Sequence, residues 1–145
     1  MLRFAICTYY SEWKAAKKFR NRYFFIPQNI KDPYLWTFDH EDHKHFILYK
    51  EEEIIGYAHI QLWPENRAAI RIIVIDKAKH RQGYGGQFIQ LIEKWLKSLG
   101  FKAIHAESSP KALKFYEKLG FTGMSFNDPD GHKPSPDDIA MGKML

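Results

Sequence analysis

The amino-acid sequence predicts an α/β or α+β domain built on a mixed β-sheet. Strand-like and helix-like segments follow the order strand, helix, two or three strands, helix, strand, helix and strands. An apolar run, Ala69–Ile75, is interrupted only by Arg71 and is typical of a central, buried strand. The chain has 145 residues, of which 45% are hydrophobic and 27% charged, so we expect one domain, residues 1–145, with its own core.

The first third of the chain is predicted to contain one strand and one helix. Leu2–Thr8 alternates loosely between apolar and polar residues, as a strand does. Ser11 is a suitable N-cap for a helix that extends to about Tyr23. The buried face of this helix is predicted from apolar residues at helical spacing, namely Trp13, Ala16, Phe19 and Tyr23. The segment Tyr34–His45 is aromatic, acidic and rich in histidine, and no element is assigned to it.

The rest of the chain alternates between strands and helices. Strands are predicted at Phe46–Tyr49, Ile54–Trp63, Ala69–Ile75 and Lys102–Glu107, with a closing pair at Phe121–Phe126 and Ile139–Met144. Gly86–Leu99 has the apolar spacing of an amphipathic helix, and Gly100 is a suitable stop. A second helix is predicted from a Ser109 cap to Leu119.

Composition narrows the class of protein. The net charge is +5 and the pI is near 9.2, which allows attraction to phosphate-bearing ligands. The basic residues are scattered among acidic ones, so nucleic-acid binding is not expected. The single cysteine cannot form an intramolecular disulfide, and no signal peptide or membrane-spanning run is recognised. We therefore expect a cytoplasmic location without membrane association.

A glycine-rich loop follows the predicted central strand. Gly83, Gly85 and Gly86 lie between that strand and the next helix, and Arg81 adds positive charge. Glycine lets the backbone approach an anion closely, and a helix N-terminus offers unpaired N–H groups. This pattern indicates a pyrophosphate site, although a plain connecting turn would look similar. A dinucleotide fold is disfavoured because the chain has no Gly-x-Gly-x-x-Gly.

The loop resembles the nucleotide-binding motif of the GNAT acetyltransferase superfamily, Gln/Arg-x-x-Gly-x-Gly/Ala. Gly83 and Gly85 align with its glycines, while His80 stands where the family prefers Gln or Arg. A second segment, Ser109–Phe121, resembles the family pattern Asn-x-x-Ala-x-x-Phe/Leu-Tyr-x-x-x-Gly-Phe. Ala112, Phe115, Tyr116, Gly120 and Phe121 match it in register, and Ser109 replaces the usual Asn.

This resemblance implies a mostly antiparallel central sheet flanked by helices, and an N-acetyltransferase that uses acetyl-CoA as co-substrate without a metal. It implies direct attack of an amine on the thioester in a ternary complex. The implied cofactor-binding residues are Ile73, Val74, Ile75, Arg81, Gln82, Gly83, Tyr84, Gly85, Gly86, Ser109 and Phe115. The alternative is a non-catalytic domain that binds or senses acetyl-CoA.

Acetyl transfer to an amine requires two proton transfers. A lysine-like amine with a pKa of about 10.4 must lose a proton before it attacks, which costs about 4.6 kcal/mol at pH 7. The leaving thiolate needs an acid, and Tyr116 is the candidate. The base is left open between Glu107, Glu65, His59 and water, with Glu107 preferred.

The acceptor and the oligomeric state are less defined. His40, His43 and His45 are interpreted as part of a solvated polar loop rather than metal ligands. Several acids in the same region indicate a cationic acceptor, although surface acids are common; they are Asp32, Asp39, Glu41 and Asp42. The acceptor is a small-molecule or peptide amine, and a homodimer is left open.

Overall fold

A computed structural model describes residues 1–145 and contains one seven-stranded sheet with the strand order β1-β2-β3-β4-β5-β7-β6. The strands are β1 (Leu2–Ile6), β2 (His43–Lys50), β3 (Glu53–Trp63), β4 (Arg67–Ile75), β5 (Ala103–Ser108), β6 (Thr122–Gly123) and β7 (Ile139–Met144). The helices are α1 (Tyr10–Arg20), α2 (Tyr84–Ser98) and α3 (Leu113–Lys118). Only β4 and β5 pair in parallel, so the predicted mixed, mostly antiparallel sheet is confirmed.

The helices pack on both faces of the sheet. On one face, α2 and α3 cover the largest apolar cluster, in which Phe88, Ile92 and Tyr116 are buried against strand residues. On the other face, α1 packs through Ala16 and Phe19. On this side, His45 and His59 are buried and contact Thr37 and Arg20, respectively.

The first helix begins earlier than predicted. Ser11 is not its N-cap, because the carboxylate of Glu12 accepts the backbone N–H groups of Thr8 and Tyr9 at 3.0 and 3.1 Å. These bonds satisfy donors ahead of the helix and move its start to Tyr10. After Arg20 the chain continues as a π-helical turn, Asn21–Phe25.

Three further predictions are corrected. The strand predicted at Phe46 begins at His43, because histidine side chains on its inner face are buried by polar partners. Ser109 makes no side-chain cap, and its segment is a 3₁₀ turn, Pro110–Ala112, before α3. The strand predicted at Phe121–Phe126 shortens to β6 because the Phe126 ring leaves the sheet and packs on Trp63, at a centroid distance of 4.9 Å.

Candidate active site

Strands β4 and β5 separate halfway along their length. They pair from Arg67 opposite Ala103 to Ile70 opposite Ala106, yet β4 continues to Ile75. At the separation, the register between β3 and β4 shifts, so that Arg71 has no partner on β3. The edge of β4 that faces β5 therefore carries free backbone donors and acceptors beyond Ile70.

The glycine loop lies directly after this free edge. Gly83 is the N-cap of α2 and has a φ of +80°, and Arg81 has a φ of +64°, both in the left-handed region. The first-turn N–H groups of a helix have no carbonyl partner within it. At Gly85, an added Cβ would lie 3.3 Å from the Phe115 ring, so this glycine also allows α2 to pack closely on α3.

His80 is attached to the end of β4. Its Nε2 donates to the carbonyl of Ile75 at 2.7 Å, which joins the start of the loop to the last residue of the strand. The ring therefore has a structural partner, and its Nδ1 is the nitrogen left for another contact. The side chain holds the strand and the loop together where the family pattern has Gln or Arg.

Tyr116 lies in the apolar cluster under the sheet with 7% of its surface exposed. Burial raises the pKa of its hydroxyl to about 12. Its ring contacts those of Phe115 and Phe121, at centroid distances of 5.2 and 5.3 Å. The phenol is thus held in place by packing and stays protonated at neutral pH, as an acid must.

The candidate bases occupy different places. Glu107 lies on β5 just beyond its last pair with β4, and burial raises the pKa of its carboxyl. Glu65 lies in the turn before β4, at the opposite end of that strand from Ile75. His59 is buried in the middle of β3.

A cavity of about 300 Å³ opens on the α1 side of the sheet, beside the separation of β4 and β5. Arg71 and Ile72 of β4 form part of its wall. Its remaining lining is Arg20, Phe24, Phe25, Gln28, Tyr34, Trp36, Thr37, His43, His59, Gln61, Asp130, His132 and Lys133. The segment Tyr34–His45, to which no element was assigned from sequence, contributes to the cavity, and so does the loop before β7.

The interpretation of His43 and His45 as a solvated loop is wrong. Both lie on β2, and His45 is 1% exposed. His43 Nδ1 lies 2.8 Å from His59 Nε2, and His45 Nδ1 lies 2.7 Å from the Tyr57 hydroxyl. Burial lowers the pKa of His43 to about 4 and that of His45 to about 3. These rings are neutral members of a buried hydrogen-bond network.

Two arginines reach the cavity wall with partners of their own. Arg20 is 1% exposed and forms a two-point contact with Asp32, at 2.6 and 3.2 Å. Arg71 Nε donates to Gln61 at 2.8 Å, and its Nη2 lies 2.9 Å from Asp128 without hydrogen-bond alignment. Asp32 is therefore not available to a cationic acceptor, contrary to the sequence interpretation.

The polar residues that line the cavity could be predicted only in part from the sequence. Tyr57, His59 and Gln61 alternate along one strand, so they share a face, and this was the available signal. The pairings of Arg20 with Asp32 and of His43 with His59 join residues that no local pattern connects. No group of three His, Cys, Asp or Glu side chains is arranged to hold a metal ion. None of the helices has the length and apolar character needed to cross a bilayer.

Comparison with known proteins identifies the family. Residues 13–121 match the model of the acetyltransferase (GNAT) family, which is more than half of the chain. This chain therefore belongs to the GNAT acetyltransferase family.

Individual relatives are distant. A candidate acetyltransferase of Bacillus subtilis is 27% identical over 82 residues, which are 57% of this chain and 55% of that protein. The chain spans between 23% and 55% of the length of the first curated relatives it matches.

Solved structures share the fold at low identity. A candidate N-acetyltransferase from Lactobacillus plantarum superposes with a TM-score of 0.79 at 20% identity, covering 99% of this chain and 98% of its own. Tetrahymena GCN5 gives a TM-score of 0.79 at 16% identity, covering 98% and 95%. At these identities the likeness concerns the fold alone.

Proposed function

We propose that this protein transfers the acetyl group of acetyl-CoA to an amine by direct attack in a ternary complex. The observation that carries the proposal is the separation of β4 and β5, with the glycine loop at the end of β4 and the cavity of about 300 Å³ beside it. Two substrates could approach this separation from different sides, so neither has to leave before the other binds.

The proposed acetyl-CoA site consists mainly of backbone groups. The N–H groups of Arg81–Gly86 suit a pyrophosphate, because they combine a left-handed turn with a helix N-terminus. The free edge at Ile73, Val74 and Ile75 suits the amide groups of a pantetheine arm, except for the Ile75 carbonyl, which already accepts from His80. Phe115 supports the loop from below through Gly85, and Ser109 lies exposed at the start of the following turn.

Roles for the reacting groups follow from the match of Tyr116 to the family's tyrosine and from the position of Glu107 on β5, just beyond its last pair with β4. Acetyl-CoA supplies an activated thioester carbonyl, at which the C–S bond breaks as the C–N bond forms. The Tyr116 hydroxyl donates its proton to the departing sulfur. The backbone N–H groups of β4 at the separation are suited to stabilise the oxyanion. Glu107 or a water molecule takes the proton from the amine.

If Glu107 is the base, the rate should depend on pH. A carboxyl acts as a base only when ionised, and burial raises the pKa of Glu107. We expect kcat/KM to fall as the pH is lowered through this raised pKa. In Glu107→Gln that acidic limb should disappear together with most of the activity. An unchanged pH profile in the variant would assign proton removal to water.

Substitution at Gly85 tests the loop. Gly85→Glu adds bulk and a negative charge where a pyrophosphate must approach, and its Cβ would press on Phe115. We expect acetyl-CoA binding, measured by calorimetry, to be lost. Gly123→Glu is the matched control, because a Cβ there meets nothing within 4 Å, and it should bind normally. Equal binding by both variants would remove the loop from the cofactor site.

The function itself is tested by acetyl transfer to defined amines. Purified protein with acetyl-CoA would be screened against polyamines, aminoglycosides, amino acids and peptides with free N-termini, with mass spectrometry to detect acetylated products. A product that requires the protein and is absent with Gly85→Glu supports the proposal. Binding of acetyl-CoA without any transfer would favour the alternative, a non-catalytic acetyl-CoA-binding domain.

A further inference from the structure

We propose that His43 is a fixed, neutral hydrogen-bond donor in the acceptor cavity, and that the acceptor amine carries a carbonyl or carboxylate oxygen to receive it. The identity of the cavity as the acceptor site rests on the proposed function. The direction of each hydrogen bond behind His43 follows from the contacts of Arg20, a positioning residue at the far end of the network.

Arg20 sets the direction because a guanidinium has donors and no acceptor. Its Nε and Nη2 are engaged by Asp32. Its Nη1 lies 3.0 Å from the Tyr57 hydroxyl and 3.1 Å from His59 Nδ1, so both of these atoms must accept. His59 therefore carries no proton on Nδ1.

The same constraint passes to His43. A neutral imidazole has one N–H, so the proton of His59 lies on Nε2. That N–H points at His43 Nδ1, 2.8 Å away, which must accept. The single proton of neutral His43 then lies on Nε2. His59 has no free lone pair in this arrangement, which argues against His59 as the catalytic base.

The Nε2 of His43 is the end of the chain that meets the cavity. His43 contributes to the cavity wall, and its Nε2 takes part in none of the hydrogen bonds within the protein. This nitrogen is not buried, so a ligand in the cavity can reach it. A ligand oxygen can therefore accept from it without displacing a protein group.

A second branch of hydrogen bonds also begins at Arg20. The Tyr57 hydroxyl accepts from Arg20, so its own proton is directed to His45 Nδ1 at 2.7 Å. His45 Nε2 then donates toward Thr37, whose carbonyl and hydroxyl oxygens lie at 3.3 and 3.2 Å. Both branches begin at one buried guanidinium, and every histidine in them is neutral.

The surroundings of His43 favour an oxygen-bearing ligand over a simple cation. Lys133 also contributes to the wall, and no carboxylate lies within salt-bridge distance of it. The carboxylate on the wall, Asp130, already accepts from Gln61 at 2.7 Å and lies 3.8 Å from Arg71. The donors His43 Nε2 and Lys133 Nζ are thus without protein partners in this wall, and Tyr34 and Trp36 supply apolar surface for the body of the ligand.

The first test reads the tautomers directly. Long-range ¹H–¹⁵N correlation spectra of the imidazole rings in the wild-type protein should show the proton on Nε2 of both His43 and His59. Arg20→Lys should give mixed tautomers at His43, whereas Tyr57→Phe should leave His43 unchanged because it removes only the second branch. A His43 ring protonated on Nδ1 in the wild-type protein would overturn the assignment, whether or not Arg20→Lys folds.

The second test uses three probes that share an aromatic ring: phenylacetate, phenylacetamide and 2-phenylethylamine. We expect the two oxygen-bearing probes to shift the His43 Nε2 resonance and the amine to leave it unshifted. Stronger binding of phenylacetate than of phenylacetamide would identify a carboxylate, and the reverse a carbonyl. Absence of a shift with both, or a shift with the amine alone, would overturn the ligand assignment.

Variants at His43 complete the test. His43→Ala should weaken binding of the favoured probe about tenfold, whereas His43→Gln should retain most of it because its amide can still donate. Equal weakening in both variants would contradict a donor role. Calorimetry with acetyl-CoA on the same wild-type sample separates the two proposals. If the protein does not bind acetyl-CoA, the proposed function is refuted, whereas the tautomer and probe results for His43 remain valid.

Discussion

Tyr116→Phe is expected to lower kcat by about 10²-fold or more, with acetyl-CoA affinity nearly unchanged. The Tyr116 ring is packed between Phe115 and Phe121, so phenylalanine preserves these contacts. The variant loses only the hydroxyl, whose pKa burial raises to about 12. A phenol with this pKa is protonated at neutral pH and can donate a proton, which agrees with the role proposed for it at the leaving thiolate. The measurement is steady-state kinetics with the best acceptor found.

A thioester with a more acidic thiol provides the control for Tyr116. A better leaving group needs less protonation, so the difference between wild type and Tyr116→Phe should shrink with such a donor. A constant difference across donors would indicate that the hydroxyl acts on something other than the thiolate. Full activity of Tyr116→Phe with acetyl-CoA itself would remove the residue from the mechanism.

The largest expected effect on stability is at Asp32. Asp32→Ala leaves the guanidinium of Arg20 buried, with only 1% exposure, and without its two-point partner. Removing one member of a buried ion pair typically costs about 3–5 kcal/mol, because the remaining charge has lost both solvent and partner. We expect a loss of this order in the free energy of unfolding, measured by denaturant titration.

Asp39→Ala is the matched control for Asp32→Ala. Asp39 lies in the same acidic region of the chain but is exposed and forms no ion pair. Its replacement should change the free energy of unfolding by no more than about 0.5 kcal/mol. Similar losses at both positions would contradict the role given to the Arg20–Asp32 pair.

The order of elements and the class of sheet could be predicted because periodicity is a local signal. The apolar run of β4 and the amphipathic pattern of α2 each predicted the right element within a few residues. Glycines were informative for the same reason: Gly83 occupies the left-handed region, which few other residues adopt readily. These features depend on neighbouring positions, and a single sequence displays them.

The acceptor cavity could not be predicted because it depends on long-range contacts. His43 looks like part of a polar loop until β3 places His59 beside it. Asp32 looks like a surface acid until the end of α1 brings Arg20 to it. The start of α1 was misplaced by a smaller effect of the same kind, since Glu12 reaches back past Ser11 to satisfy the backbone. The sequence therefore does not identify the partners of these polar residues.

Calorimetry of acetyl-CoA against acetylpantetheine tests the central claim, that this chain holds the pyrophosphate of acetyl-CoA on the loop between β4 and α2. The two ligands share the thioester and the pantetheine arm, but acetylpantetheine lacks the pyrophosphate and the nucleotide. We predict saturable one-to-one binding of acetyl-CoA, and binding of acetylpantetheine that is weaker by about 10²-fold, as expected when charge-assisted hydrogen bonds worth about 1.5–3 kcal/mol each are removed. Equal affinity for the two ligands would contradict the claim.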